Sequence, residues 1–255
     1  MARLTAAVFE KQLIILKRYW INTAMLLVSM YAFFAMIFYG GQAAAGPAIE
    51  SSLDGIVVGF FLFTAAVYAY FGVAQQIQHE AQWGTLEQLF MTPHGIGRVM
   101  AVKSVWNVLL SLVMGVALLG VMLLTTDRQL TVDIVTVAPI TILAILGPLG
   151  IGFAFAGLSL LYKRIENVQQ LVQFAFIGLI AAPASGAADS LAGLPLVQGS
   201  GMLHAAMADG VRLWEFSPLE MGVLVGVGVG YLVVGYGVFH LCVRRARRLG
   251  VMGHY

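Results

Sequence analysis

The chain has 255 residues, of which 60% are hydrophobic and only 10% charged, with a net charge of +2 and a mean hydropathy of +0.89. Ordinary soluble domains carry about 25% charged residues, so a soluble globular domain is excluded. The apolar runs are continuous, not alternating, which excludes a membrane β-barrel as well. What remains is an all-α integral membrane protein, read as a single transmembrane domain over 1–255.

A helix needs roughly 20 apolar residues to cross a ~30 Å hydrocarbon core, and six spans are read on that basis: Ile21–Tyr39, Leu53–Gln75, Trp106–Leu124, Ile134–Leu161, Val168–Ala187 and Met221–Val243. Residues 1–20 are not a cleavable signal, because Glu10, Lys11, Lys17 and Arg18 interrupt any apolar core ahead of the first span. At 100° per residue those four charges share one arc. Leu4, Val8, Phe9, Leu13, Leu16 and Trp20 fill the opposite one, and Ile14 breaks the pattern. The segment reads as an amphipathic helix lying along the membrane interface.

Between the second and third spans, residues 76–98 form a polar island. Thr85 and Gln88 have the spacing of a capping box, and Glu87 falls near the positive end of the helix they would start. Leu86, Leu89 and Phe90 share one face, and Pro93 ends the helix within about two turns. So short a helix is unstable alone in water. It docks either on its own bundle or on another protein, to which Glu80 and Glu87 would offer carboxylates.

The fourth span contains Pro139 and Gly147-Pro148, which predict a kink or break unless the bundle accommodates them. The outer loop, 188–218, is too long for a simple turn; Leu203–Val211 is expected to form a short helix there, either dipping into the outer leaflet or lying on the surface. Gly222, Gly226, Gly228, Gly230, Gly235 and Gly237 stud the last span, and they include spacings of four, Gly222 to Gly226 and Gly226 to Gly230, that allow close helix approach. This surface is read as packing within the bundle.

Twelve of the fourteen Lys and Arg residues fall on one side of this topology, and only Arg128 and Arg212 on the other. That split places both termini in the cytoplasm of a multi-pass protein of the plasma (inner) membrane. The small net charge carries no nucleic-acid signal. Cys242 is the single cysteine, so no intrachain disulfide or cysteine metal cage forms.

Catalytic, cofactor-binding and metal residues are all read as none. His79, His94, His204, His240 and His254 sit in loops or at span ends, without an H-E-x-x-H motif. No span has a central charge, which disfavours proton relay. Tyr68, Tyr70, Asn107, Ser111 and Gln173 read as helix-packing polar groups, not ligands. None of the four lysines follows a glycine, so the chain has no phosphate-cradling loop.

Glu80-x-x-x-Gly84-Thr85-Leu86-Glu87-Gln88-Leu89 followed by Thr92-Pro93 resembles the cytoplasmic signature of type-2 ATP-binding-cassette permeases, the six-span membrane subunits of ABC exporters. Tyr162 to Asn167, Pro183-Ala-Ser185-Gly186, Leu194-Pro195 and Ser217-Pro218 resemble further landmarks of that family; the Gly- and Ala-rich outer loop matches only loosely. The resemblance implies a non-enzymatic subunit that pairs with a second permease copy or paralogue in the lipid bilayer. It also implies a separate ATPase subunit, which would hold the ATP and Mg. Contacts to that ATPase would come from Glu80, Gly84, Thr85, Leu86, Glu87, Gln88, Leu89 and Phe90, within a coupling helix, and secondarily from Lys163, Arg164 and Glu166. An ATP-independent transporter or channel, or a membrane scaffold, are the alternatives.

Overall fold

The structure, a computed structural model, describes residues 2–45, 52–92, 95–162, 165–186 and 188–249. Among them there are helices and no strands. In chain order these are α1 (Ala2–Arg18), α2 (Trp20–Ala45), α3 (Leu53–Ala74), α4 (Gln76–Gln82), α5 (Leu86–Met91), α6 (Ile96–Thr126), α7 (Ile134–Leu161), α8 (Glu166–Ala181), α9 (Ala188–Leu191), α10 (Val197–Ala208) and α11 (Pro218–Leu249).

Five of them, α2, α3, α6, α7 and α11, are long and apolar enough to cross a membrane. The expected fifth span is shorter. Its helix, α8, has 16 residues, about 24 Å at 1.5 Å per residue, before the chain turns through a 3₁₀ segment at Pro183–Ser185. Ala182, Pro183 and Gly186, whose φ is +77°, end the helix where composition alone had suggested further apolar residues.

α3 and α7 form the centre of the bundle. α3 buries Val57, Phe61, Leu62, Ala66, Tyr70 and Val73, and α7 buries Ile140, Ala144, Ile145, Phe153 and Ala156. In contrast, α2 exposes Met25, Leu26, Val28 and Met36. Such outward apolar surface is what hydrocarbon solvent would cover. Several buried hydroxyls bond to their own helices, as when Ser111 donates to Val108 O (2.8 Å) and Thr141 to Val137 O (2.7 Å).

Three expectations are refined by the structure. α7 is continuous through Pro139 and Pro148, so the bundle accommodates both prolines without a break, as neighbouring helices allow. The last span packs within the bundle as expected, though not through its four-residue glycine series. Gly222, Gly226 and Gly230 face open space, whereas Gly228 and Gly235 meet the α7 backbone at Leu143 and Gly150. The contact therefore follows a seven-residue spacing along α11. In the outer loop the helix begins earlier than expected, at Val197, and its Val197, Met202, Leu203, Ala206 and Met207 are buried. This α10 is wedged against α3, α7 and α8 and is not a surface loop.

Candidate functional site

At one end of the bundle the chain leaves α3, makes the short α4, reverses at Gly84 and makes α5. Gly84 has φ +68°, a left-handed conformation that costs a residue with a Cβ but not glycine. α5 ends as sequence suggests: Thr92 is extended (φ −63°, ψ 139°), the conformation favoured ahead of a proline.

Glu80 organises this end. Only 3% exposed, it accepts a hydrogen bond from Lys103 Nζ of α6 at 2.6 Å, and Lys11 of α1 lies 3.6 Å from the same carboxylate oxygen. Gln76 Nε2 donates to it at 3.4 Å, and the Thr85 hydroxyl donates to its other oxygen. Burial alone would push the Glu80 carboxyl up. The bonds from Lys103 and Thr85 and the charges of Lys103 and Lys11 outweigh burial and hold it at about 2, against an ordinary 4.5.

The sign of the pH effect follows. A carboxylate depressed in the folded state stabilises the fold above its unfolded pKa, and that contribution disappears as pH falls through the folded value. Thermal melting of the detergent-solubilised chain is therefore expected to fall between about pH 4.5 and pH 2. A Glu80→Leu/Lys103→Met double variant should lose much of that decline. Equal slopes for the two proteins would remove Glu80 as its source.

The expected site residues divide into two groups. Glu80 does not offer its carboxylate outward, because Lys103 and Lys11 consume it within the chain. Thr85 forms no side-chain cap on α5; its hydroxyl turns to the charged Glu80 acceptor, a stronger bond than a neutral cap provides. Leu86 is 3% exposed and belongs to the hydrophobic core. Phe90 is half-buried, with the Arg247 guanidinium of α11 5.4 Å from its ring centre. Glu87 and Gln88 form the free face of α5, with Met91 at its end, and all three are exposed. Leu89 lies within α5.

No family model, curated protein or solved structure matches the chain. The site has to be read from its own geometry.

Of the second expected contact segment, Glu166 is exposed at the start of α8, while Lys163 and Arg164 lie outside the described residues. Lys11, Lys103 and Arg247 were not anticipated as site residues. Lys103 was legible in principle, being a cation at the start of an apolar run, where an ion pair is its cheapest environment. Among the described residues no cluster of three His, Cys, Asp or Glu side chains is placed to hold a metal ion.

The arrangement makes α5 a short helix with one face fixed and one free. Leu86 anchors it in the core, α4 ties it through Thr85 and Glu80 to α6 and α1, and Arg247 ties it to α11. A force on the exposed face would reach three other helices through short polar and aromatic contacts.

Proposed function

We propose that the chain is the membrane subunit of an ABC exporter, a six-span permease with both termini in the cytoplasm of the plasma membrane. It would work as a dimer and be driven by a separate ATPase subunit. The observation that carries this reading is α5: a two-turn helix whose buried side is braced to α1, α6 and α11 while Glu87 and Gln88 face outward. A coupling helix must transmit displacement, so it needs rigid attachment on one side and an open polar surface on the other. α8 with its 3₁₀ continuation would be the remaining span, and α1 the interfacial helix, fixed to α6 through Phe9 and Trp106 (ring centres 5.2 Å apart). Movement of α5 would be passed to the bundle by Glu80, which acts as a positioning residue and not as a partner contact.

The test is co-purification from detergent of a Walker-type ATPase, followed by Glu87→Arg. Reversing a charge at an interface typically costs enough for a roughly tenfold loss of affinity. ATP-driven transport is expected to fall about tenfold in that variant while melting of the permease changes little. Full transport with Glu87→Arg would remove α5 from the coupling role, and the absence of any ATPase partner would remove the exporter reading altogether.

A further inference from the structure

A cleft of ≈ 290 Å³ opens beside α4, between the end of α3 and the start of α8. One wall carries Gln75, Gln78 and Gln82, spaced i, i+3 and i+7; the facing wall carries Gln170 and Gln173. The two walls run antiparallel: Gly59 lies against Ile180 further along, and the Tyr70 hydroxyl donates to Gln169 O at 3.4 Å. The cleft is therefore graded. Glu166, His79 and Gln82 stand at its α4 end, and Phe71 and Phe174 at the other.

Five primary amides in one small cleft are unusual beside apolar helices, and their hydrogen-bonding capacity is not used up within the chain. Gln78 Nε2 is buried without a partner. Buried amides left this way are costly unless something else bonds to them.

The composition of the lining points to the ligand. The described lining residues are mostly amides and include no Lys or Arg. One carboxylate, Glu166, is exposed at the rim and is too little to hold a cation in water. Amides instead pair with neutral hydroxyls, each giving donors and an acceptor together, and phenyl rings cover the apolar face of a sugar ring. The volume is at the low end of the roughly 300–1,000 Å³ usual for small-molecule sites, enough for a single ring.

We infer that this cleft binds a neutral, hydroxyl-rich headgroup of the size of one sugar ring, and that it is where cargo first engages the permease. The second half of that statement rests on the exporter reading; the binding itself does not. A free sugar and a glycolipid share the headgroup chemistry. For a glycolipid, the exposed Val168, Leu171 and Phe174 of α8 would lie along its chains.

The test uses the full chain in sugar-free lipid nanodiscs, with Trp20, Trp106 and Trp214 changed to Phe. Trp83 then remains as the reporter, its ring centre 5.7 Å from that of His79 at the cleft. Octyl glucoside below its micelle concentration is expected to change Trp83 emission saturably. Gln82→Ala and Gln170→Leu, both at exposed positions, should each weaken binding roughly fivefold, the size of one lost hydrogen bond, with melting unchanged. Glucose binding as tightly as octyl glucoside supports the proposal with a free sugar as the source; clearly weaker glucose binding supports it with a glycolipid as the source. Octyl sulfate or octyl trimethylammonium binding as tightly as octyl glucoside would overturn it, as would no saturable response to either sugar or unchanged binding in both variants. Because no ATPase is present in the assay, sugar binding without an ATPase partner in cells defeats only the exporter reading. An ATPase partner without sugar binding defeats only the cleft assignment.

Discussion

Glu80→Leu is expected to destabilise the chain by about 3–5 kcal/mol, because it leaves Lys103 as an uncompensated buried charge. Lys103 is 4% exposed and Glu80 3%, so water does not replace the missing partner on either side. Lys103→Met should cost less, since Lys11 remains 3.6 Å from the Glu80 carboxylate to neutralise part of its charge. The double variant Glu80→Leu/Lys103→Met is expected to recover most of the loss, as apolar replacements of buried ion pairs commonly do. Thermal melts of the four proteins in one detergent, arranged as a double-mutant cycle, measure the coupling directly. A cycle energy below about 1 kcal/mol, the range of exposed pairs, would show that this end of the bundle is wet and that Glu80 does not brace it. The same cycle run on transport would separate stability from transmission. On the exporter reading, a folded double variant whose ATPase partner still hydrolyses ATP while no cargo moves is the outcome expected if the polar link carries the stroke.

Gly235→Val is expected to be at least as damaging, at about 3 kcal/mol or more. A Cβ at position 235 would collide with the carbonyl of Gly150, and one at position 150 with the Tyr231 carbonyl. Both obstacles are backbone, so no side-chain rotation relieves them and α7 and α11 must separate. Gly226→Ala is the matched control. It faces open space and, with alanine the better helix former by about 1 kcal/mol, should leave melting unchanged or slightly raised. If position 226 proved the sensitive one and position 235 tolerant, the α7–α11 register described above would be wrong.

Hydropathy located the five long helices because length and apolar content are sufficient to identify them. It also marked the run after Val168, but could not show that Pro183 and Gly186 would turn the chain after 16 helical residues. Local spacing was less reliable where a tertiary partner outcompeted it. Thr85 and Gln88 have the right separation for a capping box, yet a buried carboxylate is the better acceptor for the threonine hydroxyl. The glycines every four residues in α11 draw attention by their regularity, while the pair in contact, Gly228 and Gly235, is set by the path of α7. The amide walls were visible as Gln75, Gln78 and Gln82 at helical spacing and as Gln170 and Gln173 in α8, but which two faces would oppose each other depends on the antiparallel packing of α3 and α8. Gln173, taken singly, looked like packing; beside four other amides it lines a cleft.

The wedge formed by Val197–Ala208 has a bearing on how the protein is made. It fits a furrow walled by α3, α7 and α8, all of which leave the ribosome before it does. Until residue 208 has been translated, that furrow stands uncovered, and it closes only when the short segment folds back into it. Completion of this part of the interior therefore waits on a piece of chain made after the walls that hold it.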